Sequence, residues 1–416
     1  MIASSSSSRT IVIAGGGAVG LAIARAMSAP WNEVVVLERN HAAGLEASSR
    51  SSQVVHAGIY YHHASLKREA CIGGRKLLYE YMESNGIPHK KCGKIIVATN
   101  EAEAASIQSV YDRAVRNGVD DLRMLSSDDI RLLEPGVRGT KGILSPSTGI
   151  FDSSAYLLQL LADADGSIVY NCAATCVRVD KSSSGGGNKF VVETPQGAVQ
   201  CDIFINAAGA GAIALANAIE GYPLELLPLQ YFAKGSYFKL SSPHRAAFNH
   251  LIYPLPSDGG LGVHATLDLQ GGVRFGPDVE WLLEAGSSAH EQGLVSPEAL
   301  YRVDEARSES FYKAIRTYFP SLPDGSLQAD YAGIRSKLIG PQGAEGLCGD
   351  YARLGRRLRV DADVAGEAYS DFMIDSPHTH GIKGLYGLYG IESPGLTASL
   401  YLAEAVRKMV AADVRR

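Results

Sequence analysis

The stretch Thr10–Gly20, TIVIAGGGAVG, decides the predicted fold, because it joins an apolar run to a glycine-rich turn. Residues 10–14 are apolar and mostly β-branched, which predicts a short buried parallel strand. The turn opens a helical stretch over residues 18–29, and Pro30 stops it. A second apolar run follows at residues 33–37, so this end of the chain is predicted to form one βαβ unit.

The turn has the spacing G-x-G-x-x-G, and Glu38 stands at the end of the second strand. Glycines let the backbone approach a pyrophosphate, and the helix N-terminus offers unpaired N–H groups. Glu38 would accept hydrogen bonds from the ribose hydroxyls and so disfavours a cofactor with a 2′-phosphate. The adjacent Arg39 could bind such a phosphate, so a 2′-phosphate is not fully excluded. A plain strand-to-helix turn is the alternative, but the whole context predicts a dinucleotide site. Its predicted contacts are Gly15, Gly17, Ala18, Val19, Gly20, Glu38 and Arg39.

The composition is that of an ordinary globular protein, and the length of 416 residues predicts two domains. Hydrophobic residues make up 46% and charged residues 20%, and the formal net charge is −5. Because the sequence shows no basic stripe, we expect no nucleic-acid partner. The apolar run 11–27 contains four glycines and Arg25 and lacks a basic leading segment, so we expect neither a signal peptide nor a transmembrane segment.

Six cysteines are spread along the sequence without a C-x-x-C pair. The one close pair, Cys172 and Cys176, has no histidine nearby, so we predict neither a zinc site nor a disulfide framework. A reducing compartment fits this pattern best. We therefore expect the protein in the cytoplasm or the mitochondrial matrix.

The two ends of the chain carry the same kind of unit, a strand, a glycine turn and a helix. At the C-terminus these are residues 384–390 and 393–410, and a β-rich region, 223–280, lies between the ends. This order predicts an α/β fold in which a substrate domain, an antiparallel sheet with helices, is inserted into a discontinuous Rossmann-like domain. The predicted ranges are 1–85, 142–215 and 330–416 for the nucleotide-binding domain, and 86–141 and 216–329 for the substrate domain.

The glycine turn does not distinguish FAD from NAD, but two later segments favour FAD. Asn206–Gly209 ends a predicted strand and looks like the second FAD contact of two-domain flavoproteins, and Gly390–Thr397 looks like the third. In the third, a helix N-terminus would face the flavin ring, where its dipole would stabilise negative charge on reduction. Taken alone, Ser393 and Pro394 would be an ordinary helix start.

Five blocks together resemble a known family. Residues 47–61, ASSRSSQVVHAGIYY, are similar to a block of the L-2-hydroxyglutarate dehydrogenases, members of the FAD-dependent D-amino-acid-oxidase and glycerol-3-phosphate-dehydrogenase superfamily. The resemblance implies noncovalent FAD, a glutathione-reductase-type FAD-binding domain, and oxidation of an L-2-hydroxy acid, with L-2-hydroxyglutarate first, to its 2-oxo acid. The other similar blocks follow in order along nearly the whole chain: Leu261–Thr266, Phe275–Pro277, Tyr331–Lys337 and Gly390–Thr397.

The resemblance also implies further FAD contacts and leaves the exact substrate open. The family more often has Asn-Ser-Glu where this chain has Ser51–Gln53, and Gly-Pro-Asn where it has Gly276–Asp278. With Lys234–Tyr237, these departures bear on the substrate more than on the chemistry. The implied contacts are Ser48, Ser49, Ser52, Gln53, Val177, Ala207, Gly209, Gly390, Ile391, Ser393, Gly395, Leu396 and Thr397.

Oxidation of a 2-hydroxy acid needs a base for the hydroxyl proton and a cation for the carboxylate. His56 is the predicted base and His264 the second choice, because imidazole titrates near neutral pH; either can instead be a structural histidine. Arg335 is the predicted carboxylate ligand, because a guanidinium can bind a carboxylate through two hydrogen bonds. The same pocket is predicted to contain Tyr60, Tyr61, Lys234 and Lys337, although lysines usually lie at the surface.

Two other functions stay open from the sequence, an amino-acid or amine oxidase of the same fold and a non-catalytic flavin-binding protein. An amine oxidase removes hydride from a neutral amine and would not need His56 as a base. The sequence does not identify the electron acceptor, which can be oxygen, a quinone or a soluble carrier, or the oligomeric state.

Overall fold

The structure is a computed structural model that describes residues 8–164, 166–180, 189–241, 248–255, 262–282, 297–340 and 371–414; Leu261 of the second family block lies outside them. The helices in these ranges are α1 (Ala18–Met27), α2 (Leu66–Ser84), α3 (Glu101–Arg116), α4 (Ser127–Leu133), α5 (Ser153–Asp163), α6 (Ala212–Asn217), α7 (Pro297–Tyr301), α8 (Ser308–Arg316), α9 (Pro377–His380) and α10 (Gly395–Val414). The strands in the first half are β1 (Arg9–Ala14), β2 (Asn32–Leu37), β3 (Val54–Val55), β4 (His89–Lys90), β5 (Lys94–Ala98), β6 (Arg123–Ser126), β7 (Lys141–Ser145), β8 (Gly149–Phe151), β9 (Ser167–Val169), β10 (Cys176–Asp180) and β11 (Lys189–Thr194). The later strands are β12 (Gly197–Cys201), β13 (Ile203–Asn206), β14 (Tyr231–Leu240), β15 (Leu251–Pro254), β16 (Ala265–Leu267), β17 (Val273–Phe275), β18 (Glu280–Trp281), β19 (Leu327–Lys337), β20 (Met373–Asp375) and β21 (Leu385–Tyr389).

A largely parallel sheet contains the predicted βαβ unit. Its six described strands have the order β20-β21-β13-β1-β2-β9, and only β20 and β21 are antiparallel. Residues 11–13 of β1 are fully buried, as a strand covered on both faces requires. Helix α1 packs against α5 and α10, and α10 packs against α2, so one hydrophobic core joins the sheet to these helices. The predicted βαβ unit is therefore confirmed.

A second large sheet is built from the middle of the chain. Its nine described strands have the order β18-β14-β17-β16-β15-β5-β7-β6, and β19 pairs with β14. All these pairs are antiparallel except β15 with β5, so the predicted antiparallel sheet is confirmed apart from that pair. Phe238, Phe275 and Phe311 belong to the core beside it. Two small sheets, β10-β11-β12 and β3-β8-β4, complete the described part of the chain.

Two predicted domain boundaries cut across the nine-stranded sheet, because long-range strand pairing determines to which sheet a strand belongs. The predicted ranges 142–215 and 330–416 assign most of β7 and most of β19 to the nucleotide-binding domain. In the structure β7 pairs with β5 and β6, and β19 pairs with β14, so both strands belong to the nine-stranded sheet. The remaining division into two domains stays a prediction.

Two predicted helices have different ends in the structure. Helix α1 ends at Met27, two residues earlier than predicted, because the residue before Pro30 is disfavoured in a helix. Helix α10 begins at Gly395, so Ser393 and Pro394 precede it, and it continues to Val414. Among the described residues, no helix combines the length and the apolar character that a membrane crossing requires.

Candidate active site

A cleft of about 580 Å³ lies where the two large sheets meet. On one side it is lined by the ends of β1, β2 and β13 and by the turn that leads into α10. On the other side it is lined by residues of β14 and β19. Ligands of parallel sheets bind beyond the carboxyl ends of the strands, so the cleft joins the predicted nucleotide site to the predicted substrate pocket.

Two glycines of the N-terminal turn have no room for a side chain. A Cβ on Gly20 would lie 1.9 Å from the carbonyl oxygen of Gly15, so Gly20 allows α1 to pack close to the turn. Gly15 has φ +108°, and a Cβ there would lie 2.5 Å from the carbonyl oxygen of Ala207. Gly20 therefore shapes the turn without lining the cleft. The predicted residues that do line it here are Gly15, Gly17, Ala18 and Val19.

Glu38 and Ser48 hold the backbone around this turn. One carboxylate oxygen of the buried Glu38 accepts the N–H of Gly16 at 2.8 Å, and the other accepts the N–H of Asn40 at 2.7 Å. The hydroxyl of Ser48 accepts the N–H of Ala18 at 3.0 Å, which satisfies one free donor at the start of α1. Both side chains line the cleft, where Glu38 is placed for a ribose and Ser48 for a phosphate.

Not every predicted contact at this end holds in the structure. Arg39 lines the cleft, but its guanidinium makes two hydrogen bonds of 2.6 Å to Glu46. The carboxylate of Glu46 therefore neutralises the positive charge that would bind a 2′-phosphate. Val177 is fully buried in a core cluster, and residues 173–175 line the cleft instead. Ser49 lies outside the wall and donates to the carbonyl of Glu46 at 3.4 Å.

Both later FAD segments reach the cleft. Ala207 and Gly209, which follow β13, line it, as does most of the segment that leads into α10. Gly390 does not line it; its φ is +67°, and a Cβ there would lie 2.6 Å from Leu338, so it serves packing. The first N–H groups of a helix have no intrahelical partner, so the start of α10 offers donors here. The other predicted contacts that line the cleft are Ser52, Gln53, Ile391, Ser393, Gly395, Leu396 and Thr397.

His56 is fixed in the cleft wall through its backbone. Its N–H donates to the hydroxyl of Thr397 at 3.1 Å, and the thiol of Cys71 donates to its carbonyl at 3.4 Å. Its Nε2 lies 3.3 Å from the hydroxyl of Ser393. Burial and the charge of Lys94 lower the pKa of His56 to about 3, so its imidazole is neutral at physiological pH. The side chain is therefore in the form that accepts a proton.

Arg335 lines the cleft from β19. Its Nη2 donates to the backbone carbonyls of Asp278 at 2.5 Å and Lys234 at 3.5 Å. Among the described residues, its buried Nε has no hydrogen-bond partner. Since an unpaired buried donor is costly, this atom points to an acceptor that the described residues do not provide, such as a carboxylate or a flavin carbonyl.

The residues of the cleft fit FAD, with a helix N-terminus from α1, a second from α10, and an acid in the ribose position. A family model described as FAD dependent oxidoreductase matches residues 10–409. The chain belongs to this family. FAD is therefore its cofactor, as the sequence predicts.

The relatives of this oxidoreductase confirm the resemblance seen in the sequence. The mitochondrial L-2-hydroxyglutarate dehydrogenase of Arabidopsis thaliana is 38% identical over 426 residues, which cover 95% of this chain and 82% of that protein. The L-2-hydroxyglutarate dehydrogenase of Escherichia coli K12 is 29% identical, over 80% of this chain and 83% of that protein. The FAD-bound L-α-glycerophosphate oxidase of Mycoplasma pneumoniae has a TM-score of 0.76 and 22% identity, over 97% of this chain and 94% of that one. This likeness confirms the predicted fold.

His264 also lines the cleft of this oxidoreductase, but its ring is held by a neighbour. It stacks on Tyr253 with ring centroids 3.5 Å apart and an interplanar angle of 13°. The residue is only 5% exposed. Because stacking on Tyr253 holds this ring in the wall, His56 remains the predicted base.

A buried carboxylate, Glu392, joins two lysines beside the start of α10. It accepts hydrogen bonds from Lys67 at 3.1 Å and from Lys337 at 2.8 Å. Burial alone would raise the pKa of Glu392, but Lys67, Lys337 and Arg335 together lower it to about 2. Lys337 is thus paired behind the wall and is absent from the cleft lining, so the structure gives no support to its predicted role as a substrate ligand.

Glu392→Gln is expected to lower the free energy of unfolding by about 3 kcal/mol at pH 7, because two buried ammonium groups lose their counter-ion. The pKa of Glu392 is depressed in the folded protein. Its contribution is therefore full above its ordinary pKa of 4.5 and is lost as the pH falls towards about 2. Denaturant titrations at several pH values measure both effects.

The matched control is Glu404→Gln, which removes a carboxylate of helix α10 that pairs with Arg407 at the surface. Exposed pairs of this type contribute about 0–1 kcal/mol, so we expect little change. Equal losses in the two variants would contradict a special role for Glu392.

The other predicted substrate residues lie behind the cleft wall. Burial raises the pKa of Tyr61, and Ser393, which lines the cleft, is among the groups that act on it. Tyr60 packs against the core of the nine-stranded sheet. The buried Lys234 donates to the backbone carbonyl of Arg302 at 2.7 Å. These side chains therefore support the wall rather than form it.

Sequence reasoning missed several side chains of the site. Tyr237 and Tyr253 line the cleft. Arg50 and Tyr301 also line it, and the guanidinium of Arg50 lies 4.1 Å from the ring centroid of Tyr301. Lys94 is buried next to Tyr253. Arg50 and Tyr237 stand within blocks that the sequence singles out, so those blocks were a usable signal. For Lys94 the signal is a single charge that begins the apolar strand β5.

Proposed function

We propose that this oxidoreductase converts L-2-hydroxyglutarate to 2-oxoglutarate. The observation that carries the proposal is that His56 and Arg335, which are far apart in the sequence, line the same cleft. A base and a carboxylate-binding cation are what the oxidation of a 2-hydroxy acid needs. The relatives named L-2-hydroxyglutarate dehydrogenase support this choice of acid.

The residues of the chain divide the work of this reaction. Arg335 binds the carboxylate next to the reacting carbon, and its buried Nε gains the acceptor that it lacks. His56 takes the hydroxyl proton, because its imidazole is neutral. FAD, when bound, supplies the acceptor for the hydride that leaves the same carbon. Loss of this proton and this hydride leaves the carbonyl group of the 2-oxo acid.

The low pKa of His56 belongs to the protein without substrate. Burial and Lys94 hold this pKa at about 3, whereas a base works best when its pKa is near the working pH. The carboxylates of a bound substrate are negative and favour the protonated imidazole, so they raise the pKa of His56. Binding of an anionic substrate therefore brings the pKa of His56 closer to the working pH, where His56 is a better base.

A reducing compartment, the cytoplasm or the mitochondrial matrix, is part of the proposal. The five cysteines in the described residues are free thiols, and several relatives are described as mitochondrial.

The electron acceptor can be identified by experiment. Reoxidation of the reduced flavin by oxygen, compared with its reoxidation by a quinone analogue, will identify the class of electron acceptor.

Turnover with an artificial electron acceptor tests the proposed substrate. The panel contains both enantiomers of 2-hydroxyglutarate, L-lactate, L-glutamate and glycine. We expect the highest kcat/KM for L-2-hydroxyglutarate, with 2-oxoglutarate as the product and no turnover of the D-enantiomer. A preference for glutamate or glycine, with release of ammonia, would favour an amino-acid oxidase. A purified chain that shows no flavin spectrum after addition of FAD would contradict both enzymes.

A further inference from the structure

Lys94 is a buried cation behind the wall of the cleft. The residue is 1% exposed and begins β5, which lies between β15 and β7 in the nine-stranded sheet. Its Nζ lies 5.1 Å from the ring centroid of Tyr60 and 4.6 Å from that of Tyr253. Both rings can stabilise the ammonium through cation–π contact. Because Tyr253 lines the cleft, the ammonium lies directly behind the wall.

The charge of Lys94 is not compensated by the described chain. Among the described residues, no carboxylate forms an ion pair with it, whereas Lys67 and Lys337 share Glu392. The buried Lys234 has a backbone carbonyl as its partner. A buried ammonium without a counter-ion destabilises the fold, and burial lowers the pKa of Lys94 to about 8. An anionic ligand at this position would offset that penalty.

The same charge acts on the predicted base. Lys94 contributes to the lowered pKa of His56, so the two side chains are close enough to interact through the interior. Tyr253 stacks on His264, which also lines the cleft. Lys94 therefore belongs to the end of the cleft that contains both histidines. Arg335, a second cation of this site, lines the cleft from β19.

We infer that the charge of Lys94, acting from behind the wall, attracts the carboxylate of the substrate that is remote from the reacting carbon, and so favours dicarboxylates over monocarboxylates. This inference rests on the proposed function and deepens it. Arg335 holds the carboxylate beside the reacting carbon, and His56 lies at the hydroxyl group between the two cations. A monocarboxylic 2-hydroxy acid would leave Lys94 buried without a counter-ion, and the site would reject it by that penalty.

Lys94→Met tests the inference, because methionine retains the length of the side chain without its charge. With L-2-hydroxyglutarate we expect kcat/KM to fall about 100-fold, mainly through KM, because one partner of a buried charge pair is removed. With L-2-hydroxypentanoate, which has a methyl group in place of the remote carboxylate, we expect kcat/KM to stay the same or rise. The ratio of the two kcat/KM values is therefore the measurement. Bound FAD and the melting temperature confirm that each variant is folded.

Lys90→Met on β4 is the matched control, because this lysine is exposed and lies outside the cleft. Its ratio should equal that of the wild type. A wild type that does not oxidise L-2-hydroxyglutarate would refute the proposed function. If the wild type oxidises L-2-hydroxyglutarate but Lys94→Met leaves the ratio of the two kcat/KM values unchanged, only the role of Lys94 is refuted. An equal loss of kcat/KM on both acids gives the same unchanged ratio and the same conclusion.

The pH dependence of the wild type gives a second test that needs no folded Lys94→Met. Only protonated Lys94 attracts a carboxylate, so kcat/KM for L-2-hydroxyglutarate should fall as the pH rises through about 8. The neighbouring groups do not titrate there, since burial raises the pKa of Cys71 to about 12 and raises those of Tyr60 and Tyr253.

His56 is already neutral at this pH. Lys94→Arg should move the fall to higher pH, and L-2-hydroxypentanoate should not show it. The same fall for both acids would overturn the inference.

Discussion

His56→Asn is expected to lower the rate of flavin reduction by L-2-hydroxyglutarate about 10³-fold, because no group then accepts the hydroxyl proton. Asparagine keeps a polar side chain but cannot take up a proton near neutral pH. The backbone N–H that donates to Thr397 is retained, so FAD content should not change. Rapid mixing without oxygen measures this rate separately from reoxidation.

His63→Asn is the matched control, since His63 is an exposed histidine of the same chain segment. It should reduce its flavin at the rate of the wild type. His264→Asn should change KM more than the rate of reduction, because its ring forms part of the wall. A slow His264→Asn together with a normal His56→Asn would reverse the assignment of the base.

Arg335→Met is expected to lower kcat/KM for L-2-hydroxyglutarate about 10²–10³-fold, because the carboxylate beside the reacting carbon loses its partner. Arg335→Lys should lie between this variant and the wild type, because an ammonium keeps the charge but not the paired donors. Steady-state kinetics give kcat/KM, and the spectral change of the bound flavin gives the affinity for a substrate analogue.

Arg274→Met provides the control for a lost guanidinium on the same sheet. Arg274 lies on β17, bonds to Asp330 at 2.7 Å and is absent from the cleft wall. Its loss should affect stability and leave kcat/KM nearly unchanged. An Arg335→Met variant with the KM of the wild type would show that the carboxylate binds elsewhere.

The N-terminal turn could be predicted from the sequence because its constraints are local. Gly15 needs a positive φ, and Gly20 needs the absence of a side chain next to Gly15. The strand before the turn and Glu38 after it complete a pattern that spans only a few residues at each point. The resemblance then brought His56 and Arg335 together, which no local pattern could have done.

The differences between the predicted and the observed positions depend on contacts between distant parts of the chain. Strands β7 and β19 have ordinary strand sequences, and only their partners place them in the nine-stranded sheet. Val177 is buried because its strand packs into a core cluster, and the loop before it reaches the cleft instead. Lys337 has the expected position along its strand, but Glu392 pairs with it from another segment.

The surroundings of Lys94 could not be predicted from the sequence either. Its place at the start of an apolar strand suggests burial, but the two tyrosine rings around it come from residues 60 and 253. Whether a buried lysine is paired or open to a ligand depends on all the segments that meet there. That information enters only with the tertiary structure.

Titration of the FAD-loaded protein with L-2-hydroxyglutarate in the absence of oxygen tests the central claim most directly. The visible absorbance of the oxidised flavin should disappear in proportion to the substrate added, with equivalent formation of 2-oxoglutarate, and the D-enantiomer should have no effect. A flavin that stays oxidised with excess L-2-hydroxyglutarate, while an amino acid reduces it, would contradict the account.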